Sequence, residues 1–186
     1  MRLIVLTFAL LIAVARFSCG APLTIVENGN ARAAIVVAKN EDHARRAAAA
    51  VQSYIEKMSG ARLPIVTEGE DAGQPISIYV GHTGAAAAQG IAIPSGHNAT
   101  VHDDAFEEEG YVLKTAGNAI FIGGNSDGPY HGTLYGGYAF LYELGCRFYF
   151  PGDWGEVVPQ QKTITVPDLD VLSRPDFAVR YIGLNP

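Results

Sequence analysis

Residues 132–152 read GTLYGGYAFLYELGCRFYFPG, and the reading of this stretch decides the fold. Asp127-Gly128-Pro129 just upstream opens a helix, with proline at an early position where its missing N–H costs nothing. Tyr130, Leu134, Tyr138 and Leu141 then recur at helical spacing as a buried stripe. Gly145 is placed to end the helix as a left-handed residue. Beyond it, Cys146, Phe148 and Phe150 are expected to alternate inward along a short extended run, and Pro151-Gly152 to turn the chain. Glycines 132, 136 and 137 each cost about 1 kcal/mol in a helix relative to alanine, so something must offset them. Close approach of the helix to a sheet would do so, with tyrosines 130, 135, 138 and 142 packing beside the gaps. A flat aromatic face meeting another domain would do so as well.

The flanking sequence supplies the sheet. Gly110–Thr115 and Ala119–Gly123 predict a hairpin across Ala116-Gly117-Asn118. Further upstream, residues 23–27 (LTIVE), 33–38 (AAIVVA), 63–66 (LPIV) and 76–80 (ISIYV) read as strands. Between the second and third lies a helix with Asn40 as its expected N-cap and Glu41 and Asp42 in its first turn. Ala44, Ala47, Ala48, Val51, Ile55 and Met58 form its apolar stripe, and Gly60 ends it. Thr83–Gln89 predicts a short helix, and 157–158 and 163–166 predict closing strands. The fold class expected is α+β: a two-layer sandwich, with a mixed, mostly antiparallel sheet and two main helices on one face.

Arg2, the apolar run Leu3–Ala15 and the small residues Ser18-Cys19-Gly20 read as a secretory signal cleaved after Gly20. A secreted or periplasmic protein is therefore expected, in preference to a lipoprotein anchored at Cys19, with no membrane attachment after cleavage. Residues 21–172 are expected to be one domain, and 173–186 a linker. The 186-residue chain carries 13 basic and 19 acidic side chains. An acidic surface repels phosphate backbones, so no nucleic-acid partner is expected. With Cys146 alone after cleavage, stability must come from an apolar core and not from disulfides.

Few residues carry chemistry. The turn Gly123–Gly128 lacks the lysine of a phosphate-binding loop and reads as a tight strand-to-helix connection. The five histidines show no ligand spacing; His97 and His102 with Asp103 and Asp104 read as a solvated loop ahead of a metal site. Asn98-Ala99-Thr100 fits a glycosylation sequon. Cys146 has no histidine near it in sequence and reads as a small buried hydrophobe. No metal or cofactor is expected. The distinctive residues gather in Gly145–Pro159: Arg147, Tyr149, Asp153, Trp154 and Glu156. Two carboxylates about 5–10 Å apart could serve glycoside hydrolysis. Both, however, sit in one loop, without separate scaffolding to push their pKa values apart. A domain seam or the rim of a sugar cleft is the preferred reading of these five.

The order of motifs resembles the amino-terminal accessory domain of large exported glycosidases. It runs through YIEKMSGARLPI, ISIYVG, EEGYVLKTAGNAIFIGG, GTLYGGYAFLYELGCRFYFPG, GEVVP and RPDFAVR. The relatives are family 67 α-glucuronidases, family 20 β-hexosaminidases and bacterial proteins with an uncharacterised glycosidase-like domain downstream. The resemblance implies a small α+β layer preceding a catalytic (β/α)₈ barrel, with RPDFAVRYIGLNP as the link toward it. It implies a carbohydrate-processing parent whose catalytic residues have no counterpart in this chain. The partners implied are that barrel and a polysaccharide or oligosaccharide. A free-standing carbohydrate-binding module, with Trp154 and neighbouring tyrosines as its platform, is the second reading.

Overall fold

A computed structural model of the chain describes residues 21–71, 73–97 and 109–176. The signal segment, the sequon, His102 with its two aspartates, and the tail from Phe177 lie outside the described residues. In chain order, β1 (Leu23–Glu27), β2 (Asn30–Ala31) and β3 (Ala33–Val37) precede α1 (Asp42–Ser59). Then come β4 (Ile65–Thr67), β5 (Ile76–Val80), the short α2 (Gly84–Ala88), and the hairpin β6 (Tyr111–Ala116) and β7 (Ala119–Gly124). α3 (Gly132–Glu143), β8 (Arg147–Phe148), β9 (Glu156–Val157), β10 (Ile164–Val166) and β11 (Asp170–Ser173) follow.

The central sheet has the order β11-β6-β7-β5-β3-β4. β4, β3, β5 and β7 pair in parallel, and β6 and β11 extend the sheet antiparallel. β1 pairs antiparallel with β10 and β2 in a second sheet, and β8 with β9 in a two-stranded ribbon. Over the described residues antiparallel pairings outnumber parallel ones, and the fold is the α+β sandwich expected. The parallel inner strands explain the continuous apolar run of β3, which is buried at all five positions, as strands covered on both faces are.

α1 and α3 lie side by side on one face. Ala44, Ala47, Ala48, Val51 and Ile55 of α1 are wholly buried, over Ile35, Ile78, Val80, Ile120 and Ile122. The glycines of α3 are explained here by what a side chain would meet. A Cβ at Gly137 would lie 3.2 Å from the Ala47 Cβ, and one at Gly136 3.4 Å from Ile122 and Tyr111. At Gly132 it would stand 2.5 Å from the Asn125 nitrogen and 2.6 Å from the Gly110 oxygen. Close packing on sheet, loop and neighbouring helix thus offsets their cost.

Several expectations are corrected. The N-cap of α1 is Glu41, not Asn40, which adopts φ +58°. α3 begins at Gly132, and residues 127–131 form its approach. Its buried face is carried by Gly132, Thr133, Gly136, Gly137, Phe140 and Leu141, while Tyr138 points outward. Tyr130 and Leu141 are buried as expected and Leu134 packs against the core; the rest of the inward side is glycine and threonine, invisible to a hydrophobic pattern, so only Tyr138 is misplaced. Gly145 ends the helix as expected at φ +96°. Its N–H donates to the Tyr142 oxygen at 3.0 Å and that of Cys146 to Leu141 at 3.0 Å, the paired bonds of a left-handed C-terminus. Phe150 is exposed and does not continue the inward alternation, because Gly152–Gly155 folds back beneath it.

Candidate functional site

The outer side of α3 and the loop after it form an aromatic face. Its centre is Phe148, whose ring meets Tyr54 edge-on at 5.1 Å, Tyr138 edge-on at 5.2 Å and Tyr142 at 5.9 Å. These rings, with Tyr135, Tyr149 and Phe150, border an open groove of about 580 Å³. Tyr149, Phe150 and Trp154 are 65%, 72% and 101% exposed. The loop carrying them is nonetheless built tightly. The Tyr149 N–H donates to the Gly155 oxygen at 2.8 Å, and the Gly155 N–H to Gly152 at 2.9 Å. A Cβ at Gly155 would lie 2.1 Å from the Phe150 oxygen. A single 3₁₀ turn, Asp153–Gly155, therefore holds Trp154 out into solvent. A fixed turn presenting large apolar rings to water marks a contact surface.

Glu156 is the ordered charge of this face. The Tyr54 hydroxyl donates to one of its oxygens, and Lys57 Nζ lies 3.1 Å from the other. The Tyr54 bond first, then Lys57, holds the Glu156 carboxyl below the usual carboxylate range, while burial and the same bond push the Tyr54 phenol up. A carboxylate stabilised as the anion is a poor proton donor, which argues against Glu156 as a general acid. Arg147 caps the end of α3, donating to the Tyr142 and Cys146 oxygens at 2.9 and 2.7 Å with its guanidinium 4.9 Å from the Tyr142 ring centre. Cys146 is fully buried against Met58, and burial raises its thiol pKa, the inert setting of a packing cysteine.

Tyr149 and Glu156 thus line the groove, Arg147 braces its wall, and Asp153 and Trp154 stand on the turn at its rim. Asp153 does not share the partners of Glu156, whose oxygens are turned to Tyr54 and Lys57. Sequence reasoning named Tyr135 as part of a possible aromatic face but missed Tyr54 and Lys57, which reach it from α1. Tyr54 is buried on the core side of α1 and Lys57 is partly exposed beside it, so neither was marked by the apolar spacing.

A second polar cluster lies at the carboxyl ends of β3, β5 and β7. One Glu41 oxygen accepts from the Ser126 and Thr133 hydroxyls at 2.9 and 3.0 Å. The other accepts the His82 N–H at 2.8 Å and faces the His82 ring at 3.4 Å. Burial alone would raise the Glu41 pKa, but the bonds from His82 and Ser126 outweigh it and leave it at about 2. His82 is raised by its contact with Glu41. The Glu41 carboxylate lies directly over Gly81, where a Cβ would come within 2.4 Å of its Oε2. This cluster ties the starts of α1 and α3 to the sheet and leaves Glu41 no spare oxygen.

Together these features define a small α+β module with an apolar core, a polar latch at the carboxyl ends of its inner strands and an outward aromatic face. No protein-family model matches the chain, and no curated protein matches it by sequence. Solved structures do. The Asp-to-Ala mutant Streptomyces plicatus β-hexosaminidase in complex with product GlcNAc superposes with TM-score 0.51, and the Asp-to-Asn mutant with 0.50. Both are 17% identical over 86% of this chain and 24% of theirs. The GH20 β-N-acetylhexosaminidase of Streptomyces coelicolor A3(2) gives 0.48 at 18% identity. The chain spans about a quarter of the length of these enzymes. At this identity the likeness is one of fold: a domain-sized part of a β-hexosaminidase has the architecture seen here.

Proposed function

We propose that the chain is a non-catalytic accessory domain of an exported carbohydrate-processing protein, and that its aromatic face packs against a catalytic (β/α)₈ barrel of the glycoside-hydrolase kind. The observation that carries this reading is the face itself: Tyr149, Phe150 and Trp154 stand in water on a loop whose backbone is tightly bonded. A surface built so firmly and left so apolar suits a permanent neighbour, since interface cores are enriched in such aromatic residues. Fold alone does not imply function. It is the combination with the quarter-length match to β-hexosaminidases that favours a domain of a larger enzyme. Arg147 and Glu156, already committed to internal partners, would order the seam and perform no chemistry.

The test is hydrolysis of aryl N-acetylglucosaminides and aryl glucuronides by the purified chain. No turnover is expected. Turnover that disappears in Asp153→Asn or Glu156→Gln would assign the loop a catalytic role and overturn the reading. The second reading, a free-standing sugar-binding module, is favoured by the concave groove beside Trp154. It requires heat on titration with oligosaccharides that is lost in Trp154→Ala.

A further inference from the structure

We propose that His43 and His131 form a two-histidine site for a divalent transition-metal ion, at the edge where α1 and α3 begin. His43 stands in the first turn of α1 and His131 at the N-cap of α3, 88 positions apart and therefore unreadable as a motif. Their Nδ1 atoms lie 3.2 Å from one another, with ring centres 4.7 Å apart and planes inclined at 49°. Two nitrogens meeting end to end at that spacing would hold the ring centres farther apart. The rings therefore approach obliquely: without an ion one Nδ1–H is hydrogen-bonded to the other Nδ1, and loss of that proton would leave two nitrogens at the spacing of ligands to one ion. Zinc–nitrogen bonds of about 2.0–2.1 Å at a tetrahedral angle place two ligating nitrogens about 3.3 Å apart, close to the spacing found here. Imidazole nitrogen suits zinc, nickel and copper.

The two ligands are held by the fold. α1 and α3 touch at Gly137 and Ala47, and the Tyr135 ring meets His131 edge-on at 6.3 Å. Thr133, two residues after His131, donates to Glu41, two residues before His43, at 3.0 Å. Helix N-termini disfavour a cation; the carboxylate of Glu41, on the same edge, offsets this. His82 does not belong to the set, because its ring nitrogens face Glu41 at 3.4 Å and the Pro94 oxygen at 3.2 Å. Among the described residues no third histidine, cysteine or carboxylate completes a cluster, so the protein supplies two ligands and solvent would have to supply the others. This inference is independent of the carbohydrate reading.

Calorimetric titration of the purified chain with zinc chloride, and separately nickel chloride, near neutral pH tests it. One saturable ion per chain is expected. His43→Gln and His131→Gln should each weaken binding by more than about tenfold, at least the loss seen when an outer-sphere partner is removed. His82→Gln should leave it unchanged. Absence of saturable uptake by the unsubstituted chain, or affinity within about twofold of it in either His43→Gln or His131→Gln, overturns the proposal. Should a variant fail to fold, histidine side-chain nitrogen spectra of the unsubstituted chain during zinc titration decide the matter. Shifts in the Nδ1 signals of both His43 and His131 support the site, and shifts confined to other histidines overturn it.

Discussion

Where α1 and α3 begin, Glu41 collects donors from His82, Ser126 and Thr133, and glycines 81, 124 and 132 let backbone and side chains close without a gap. Where the same helices end, Tyr54, Tyr138 and Tyr142 pack around the Phe148 ring and then stop, leaving Tyr149, Phe150 and Trp154 outside. One end of the helical layer satisfies its polar groups within the domain; the other keeps apolar area facing out. On the proposed function, the difference separates what holds this domain together from what it would offer to a neighbour. Substitutions at the first end should cost stability, and substitutions at the second should cost only association.

The largest effect is expected at the closed end. A Cβ at Gly124 would lie 2.3 Å from the Gly132 carbonyl carbon and 2.7 Å from the Gly110 oxygen, backbone atoms that cannot swing aside. Gly124→Ala should therefore destabilise the chain by about 3 kcal/mol or more, read as a lower midpoint in urea. An unchanged midpoint would mean that the closed end is not closed.

Next comes the carboxylate. Glu41→Gln leaves the hydroxyls and the His82 ring without an anion and should cost about 1–3 kcal/mol. The pH profile follows from the same contact. With its folded pKa at about 2 against an ordinary 4.5, Glu41 contributes stability that is complete above pH 4.5 and is lost as pH falls toward 2. His82, raised above its ordinary 6.5, contributes stability that is complete below pH 6.5 and is lost as pH rises through its folded value. Stability from this pair is thus greatest between pH 4.5 and 6.5. Glu41→Gln should flatten both flanks, and a profile unchanged by the substitution would remove the latch from the account.

The closed end was also the end least legible in sequence. The strands, the hairpin, the helix over Asp42–Ser59 and the Gly145 stop follow from alternation, turn residues and helical spacing, which are local signals. Glu41, His82, Ser126 and Thr133 come from four separate segments, and no spacing announces that they converge. The same holds for His43 and His131. β11 was missed because Asp170–Ser173 alternates over only four residues and gains its identity from pairing with β6. The aromatic end, by contrast, was marked by its composition. Of its five singled-out residues Tyr149 and Glu156 line the groove, Arg147 braces the end of α3, and Asp153 and Trp154 sit on the adjoining 3₁₀ turn; none gathers into a catalytic pair.

The smallest effect on stability belongs to the most conspicuous residue. Trp154 is fully exposed, so Trp154→Ala should move the unfolding free energy by no more than about 0.5 kcal/mol. A larger loss would show that the ring packs within the domain and is not offered to a neighbour.

The contrast between the two ends is tested most directly by hydrogen exchange, comparing the chain alone with the protein continued through any coding sequence in frame beyond Pro186. The account predicts that exchange slows across residues 138–157, the aromatic face, while Glu41, His82 and their neighbours exchange equally slowly in both. Unchanged exchange at residues 138–157 in a protein that carries a barrel, or a reading frame that carries none, would contradict it.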